Sequence, residues 1–174
     1  FATLFLLPFN SEAQRFEWLK IYSSSGFSGN NQFIEVSGNN VYVVGQFQSS
    51  ISFGSTVLNS GTARSLYIAN YDTLGNFRWA VQNTGSSTFS DIIDLDIDDS
   101  GNAYLAGYFN NSVGWGAINL NVSNTSSFRE AYIVKFNNQG VSQWIRGIYS
   151  PTGSLSFRGL ADLSVSQNKL FLLG

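Results

Sequence analysis

The chain has no cysteine and no histidine among its 174 residues, and only 11% of them are charged. Without cysteine neither a disulfide nor a thiolate zinc site can form. Without histidine the commonest catalytic base and metal ligand is missing. The charged fraction lies well below the roughly 25% of ordinary soluble domains. Nine basic residues are spread thinly and the net charge is −2. There is thus no basic stripe to release counterions from phosphate, which argues against a nucleic-acid partner. No later segment approaches the roughly 18 apolar residues of a transmembrane helix, so no membrane span is expected. No long stripe of period 3.6 appears, because glycines and β-branched residues interrupt every candidate helix.

What is present points to β-structure. Hydrophobic residues make up 43% of the chain, too many for a disordered segment and enough, at this length, to bury a core. Serine, asparagine, glycine and threonine replace charge on the polar surface, which suits an extracellular protein rich in turns. The apolar run Phe1–Phe9 is followed by Ser11-Glu12-Ala13. Nine residues are too few to span a bilayer but suit the apolar region of an export signal, so residues 1–13 are expected to be a partial signal peptide cut after Ala13. A buried strand is the alternative.

Self-similarity is the strongest signal. Trp18, Trp79 and Trp144 recur at spacings of 61 and 65, and Gly45, Gly107 and Gly174 at 62 and 67. Gly75 and Gly140 each stand four residues before a tryptophan, and Tyr67 and Tyr132 eight residues before those glycines. Phe53-Gly54 matches Trp115-Gly116. The repeating units are about 16–76, 77–140 and a truncated 141–174.

Within a unit the strands are legible. Phe16–Tyr22 and Phe77–Val81 are aromatic and β-branched. Ile93–Asp98 alternates, with Ile93, Leu95 and Ile97 on one face and Asp94, Asp96 and Asp98 on the other, as in a half-buried strand. Val41–Phe47 and Ala103–Phe109 are more continuously apolar, as in strands buried on both faces. Leu66–Tyr71 and Tyr132–Phe136 follow, and Asp72-Thr-Leu-Gly75 and Asn137-Asn-Gln-Gly140 turn the chain into the next strand. A tight turn is expected at Asp99-Ser100-Gly101-Asn102. About four strands per unit match a propeller blade, which buries its faces only against neighbours. The expected fold is therefore all-β, a β-propeller fragment of about two and a half four-stranded blades, with Trp, Tyr and Phe forming the inter-blade contacts.

The order Trp79, Asp91, Asp98-Asp99-Ser100-Gly101-Asn102, Tyr104, Gly107, Tyr132-Ile133-Val134-Lys135-Phe136 and Gly140 before Trp144 resembles bacterial secreted β-propeller repeats of the SBBP type. That resemblance implies export to the cell surface or medium and a ring of about seven blades. The remaining blades of the same polypeptide would then be the nearest partners. It also implies that Phe16–Tyr22 closes the ring as the outer strand of the last blade. Two turns depart from the pattern. Ser37-Gly38-Asn39-Asn40 and Ser166-Gln167-Asn168-Lys169 are one residue shorter than the central one.

Asp91, Asp94, Asp96, Asp98 and Asp99 form the most conspicuous polar cluster. Asp96-Ile-Asp98-Asp-Ser100-Gly101 partly matches a calcium loop, with Asp96, Asp98 and Ser100 as weak candidate ligands, but position 12 is Gly107. The acids do not recur at the matching positions, which are Glu35 and Ser37 in the first unit and Ser164 and Ser166 in the third. The acids are therefore expected to decorate a solvated face. No paired-acid glycosidase motif, nucleophile elbow or P-loop occurs, so no catalytic residue and no cofactor is assigned. Asn110-Asn-Ser112, Asn121-Val-Ser123 and Asn124-Thr-Ser126 have the glycosylation pattern, which chance explains in so Asn/Ser-rich a chain. Asn110–Ser127 reads as an exposed loop with a short element at Trp115-Gly116. The function expected is a non-catalytic scaffold or recognition module that binds protein or polysaccharide. The alternative is the propeller part of a carbohydrate-active hydrolase whose catalytic residues lie partly elsewhere.

Overall fold

The computed structural model describes residue 17 and residues 33–86, 90–121, 129–148, 159–167 and 169–174. The expected export signal lies outside the described residues, as does the expected strand Phe16–Tyr22 apart from Glu17. Of those described, 74% are strand and none is helical; accordingly, no helix among them is long and apolar enough to cross a membrane.

The sheets do not break at the expected unit bounds of 76/77 and 140/141, because each Trp strand pairs with the strand before it, so the first structural unit is an antiparallel meander of β1 (Phe33–Ser37), β2 (Asn40–Phe53), β3 (Thr56–Tyr71) and β4 (Phe77–Thr84). The second contains β5 (Ser90–Ile97), β6 (Ala103–Phe109), β7 (Ser112–Trp115), β8 (Ile118–Asn121), β9 (Glu130–Phe136) and β10 (Ser142–Ile148). Strands β5, β6, β9 and β10 form its own four-stranded meander, while the β7–β8 hairpin joins the edge of β4 through Asn83↔Trp115 and Thr84↔Gly114. The third unit contributes the hairpin of β11 (Asp162–Ser166) and β12 (Lys169–Leu173).

The repeat is visible in the registers. Tyr42 pairs with Asn70 and Asn70 with Trp79, just as Tyr104 pairs with Lys135 and Lys135 with Trp144. The ends of β2 and β3 close on Gly54-Ser55, and β7 and β8 on Gly116-Ala117, with both glycines at positive φ. One turn is used three times. In Asp72–Gly75, Asp98–Gly101 and Asn137–Gly140 the glycine N–H donates to the carbonyl of the first residue, and the glycine has φ of 82°, 76° and 81° in turn. The first side chain of each accepts the N–H groups two and four residues on. An Asx side chain and a final glycine are what this geometry needs. The central turn therefore starts at Asp98, one residue before the expected Asp99. The shorter turn between β1 and β2 has a two-residue loop with Gly38 at φ 56°.

Packing is face to face. One face of the first unit (Tyr42, Val44, Leu66, Ile68) meets one face of the second (Leu95, Leu105, Phe109, Trp115, Tyr132, Phe136) in a single core. The far face of the second unit (Tyr104, Ala106, Ala131, Ile133) packs on Leu160 and Leu163 of the third. Tyr104, Ala106, Ala131 and Ile133 are the repeat equivalents of Tyr42, Val44, Leu66 and Ile68, so the same positions serve both junctions. On the first unit's other face Val41, Val43, Phe47, Ile51, Phe53, Tyr67, Ala69 and Tyr71 cluster. They are the equivalents of Ala103, Leu105, Phe109, Val113, Trp115, Tyr132, Val134 and Phe136.

Two expectations are corrected here. Asn110–Ser127 is not simply an exposed loop. Within it Val113 and Trp115 are fully buried on the β7–β8 hairpin, because Trp115 fills the inter-unit core edge-on to Phe136, with ring centroids 5.3 Å apart. Ile93 does not share a face with Leu95 and Ile97. A bulge between Ile92 and Asp94 turns Ile92 into the inter-unit core and sends Ile93 to the opposite side. The extra residue of a bulge reverses the alternation that sequence periodicity assumes.

Candidate functional site

The acidic strand β5 and the turn after it collect the polar side chains of the second unit, and their partners identify their work. Asp94 Oδ2 accepts the Leu163 N–H at 2.8 Å, and Asp96 Oδ2 accepts that of Val165 at 2.5 Å. Both donors lie on β11, which pairs only with β12 among the described residues. The two aspartates thus take up backbone donors on the open edge of the third unit. The alternation that places them on one face also spaces them to meet every second N–H of the neighbouring strand. A purely solvated role is therefore corrected: Asp94 and Asp96 join one sheet to the next.

Asp98 is an internal organiser. Its carboxylate accepts the N–H groups of Ser100 and Asn102, the Asn102 amide and the Tyr104 hydroxyl, and Lys135 Nζ stands 3.6 Å away. The same ammonium lies 4.8 Å from the centre of the Tyr104 ring. Burial acts to raise the Asp98 pKa, but the donors from Asn102, Tyr104 and Ser100 outweigh it and hold the carboxyl below its ordinary value. Asp91 Oδ1 accepts from Gln46 Nε2 at 2.9 Å, another tie between the first two units.

The candidate calcium ligands Asp96, Asp98 and Ser100 make hydrogen bonds within the protein. The Asp96 oxygens take the Ile97 and Val165 N–H groups, Asp98 takes the turn, and the Ser100 N–H donates to Asp98. Among the described residues no group of three or more Asp, Glu, His or Cys side chains is placed to hold a metal. Asp98, Asp99, Ser100, Val165, Ser166 and Gln167 line a polar groove of about 250 Å³ between the two hairpin turns.

Burial raises the Asp94 pKa, and the hydrogen bond with the neighbouring Asp162 carboxyl raises it further. Glu35 is raised in the same way, by burial first and then by the charges of Asp96 and Asp94. An acid whose folded pKa is raised contributes stability that is fully present below the unfolded value of about 3.9 and is lost as pH rises through the folded value. Asp94→Asn keeps an acceptor for Leu163 but removes this loss. Relative to the parent, the variant should gain melting temperature between about pH 4 and pH 7. A difference that stays constant across that range would contradict the assignment.

No family model, curated protein or solved structure matches the chain.

Proposed function

We propose that the chain is part of a β-propeller in an exported bacterial protein, serving as a non-catalytic scaffold or recognition module for a protein or polysaccharide ligand. One observation carries this reading. Two four-stranded meanders repeat each other and stack face to face, with equivalent positions at successive junctions. Propeller blades stack in this manner, since a single blade cannot bury both its faces. The asymmetry of Ile34 and Val36 agrees with it. They are well exposed on β1, whereas their equivalents Leu95 and Ile97 are buried beneath the first unit. A further blade on that side would cover them.

The polar residues support a structural role, since Asp91, Asp94, Asp96 and Asp98 are each engaged by protein donors. A fold does not name its ligand. A glycan array on the full exported protein, paired with hydrolysis assays on the glycans retained, tests the reading. Binding without turnover is expected. Turnover abolished by substituting one carboxylate would replace it with a hydrolase.

A further inference from the structure

The junction between the second and third units centres on one backbone donor. Two carboxyl groups converge on the Leu163 N–H of β11. Asp94 Oδ2, on β5, accepts it at 2.8 Å, and Asp162 Oδ1, on β11 itself, at 2.9 Å. Groups brought to one nitrogen are close neighbours, and a hydrogen bond links these two side chains. A bond between two carboxyl groups needs a proton on one of them. When both are ionised, a single N–H has to serve two like charges.

The strands around this pair add acids rather than bases. Glu35 of β1 acts on Asp94 and Asp96 through its charge, and Asp96 Oδ2 accepts the Val165 N–H farther along β11. From β6 come the Tyr104 and Tyr108 hydroxyls, which donate to Asp98 and to the Leu160 carbonyl. From β2 comes the Tyr42 hydroxyl, which donates to the Gly101 carbonyl. Arg64 of β3 stands opposite Gln48, beyond the Gln46 that binds Asp91 at the start of β5. Lys135 lies at Asp98, and Lys169 stands opposite Ser166 at the hairpin turn. Among the described residues no ion pair reaches Glu35, Asp94, Asp96 or Asp162.

The repeat shows that this pair is peculiar to one junction. Phe33, Asp94 and Asp162 are equivalent positions, since they stand opposite Val44, Ala106 and Leu173. Where the second unit meets the third with Asp94, the first therefore meets the second with the Phe33 ring, which packs on the shared core. The first junction is apolar at this position, whereas the second carries a titrating pair. Beside that pair Leu160 and Leu163 cover Tyr104, Ala106, Ala131 and Ile133.

We propose that Asp94 and Asp162 form an acid-closed latch between the second and third units. While the two carboxyls share one proton, the β11–β12 hairpin is held on β5. When that proton passes to solvent on the way to neutral pH, the carboxylates repel each other. The hairpin then opens more often and uncovers the apolar face around Tyr104 and Ile133. The docked state binds the extra proton, so falling pH favours docking. The latch does not depend on whether the units close into a ring.

The test follows amide hydrogen exchange in the chain at about pH 4.5 and about pH 7.5, each corrected for the intrinsic rate at that pH. Protection at Leu163 and Val165 should be at least about fivefold greater at the lower pH, while protection at Tyr42–Val44 should change by less than about twofold. Asp94→Asn and Asp162→Asn should each abolish the difference, because an amide keeps an acceptor for Leu163 but has no proton to titrate. Asp162 is exposed, so its substitution decides the matter even if Asp94→Asn does not fold. Equal protection at both pH values, greater protection at the higher pH, or a difference that survives Asp162→Asn would overturn the proposal. So would an equal change at Tyr42–Val44, since pH would then act on the whole fold.

Discussion

Trp115→Ala should lower the unfolding free energy by about 3–5 kcal/mol, the range for emptying a fully buried aromatic site. Trp115 is 0% exposed, in a core built from both units. It meets Phe136 edge-on and its indole N–H points to the Tyr132 hydroxyl at 3.4 Å. Backbone surrounds it as well, since it ends β7 on the edge of β4, and its carbonyl accepts the Ser142 hydroxyl at 2.7 Å. The surroundings therefore have little freedom to collapse into the space left. The loss is a large share of a typical 5–15 kcal/mol. Trp144→Ala should cost clearly less, because Trp144 is only half-buried. Urea unfolding of the two variants compares them directly. Equal losses would show that Trp115 does not hold the units together.

Gly107→Ala should be the second most damaging change, at about 2–3 kcal/mol. A Cβ at Gly107 would stand 2.6 Å from the Asp91 carbonyl oxygen and 2.8 Å from the Tyr132 ring. At Gly45, its equivalent, the three nearest atoms all belong to the Tyr67 side chain, the hydroxyl at 2.8 Å and the ring from 2.9 Å. The two glycines recur because each makes room for a buried tyrosine laid across the neighbouring strand. They differ in what can yield. In a Tyr67→Leu background Gly45→Ala should become nearly silent, because the obstructing ring is gone. In a Tyr132→Leu background Gly107→Ala should keep much of its cost, because the Asp91 backbone remains. Double-mutant cycles by chemical denaturation give the two coupling energies. Equal rescue at both sites would refute this account.

These two sites show how far the amino-acid sequence reaches. The spacing of Gly45 and Gly107 from their neighbours marked them as structural, but not which ring each accommodates. That depends on which strand lies alongside. Trp115 was visible as the partner of Phe53 in the repeat, yet its polar surroundings, from Asn110 to Ser127, suggested an exposed loop. Its burial comes from β4 of the preceding unit, a contact that no local pattern encodes. The aspartates of β5 mark a similar boundary. Alternation placed Asp94 and Asp96 on one face, but the N–H groups of Leu163 and Val165 that they accept lie 69 residues on.

By itself the sequence determined the all-β class, the repeat, the strands over Val41–Phe47, Leu66–Tyr71, Phe77–Val81, Ala103–Phe109 and Tyr132–Phe136, and the Asx-x-x-Gly turns at Asp72 and Asn137. These follow from short-range chemistry, namely period-two alternation, the need for glycine at positive φ, and equal spacing of equal residues. Only the tertiary structure decided the bulge at Ile93, the burial of Trp115, the role of β5's acids as links between sheets and the pairing of Asp94 with Asp162. Each of these depends on which surface of one unit meets which turn or edge of the next. That is a property of stacked sheets, and a strand's own residues do not carry it.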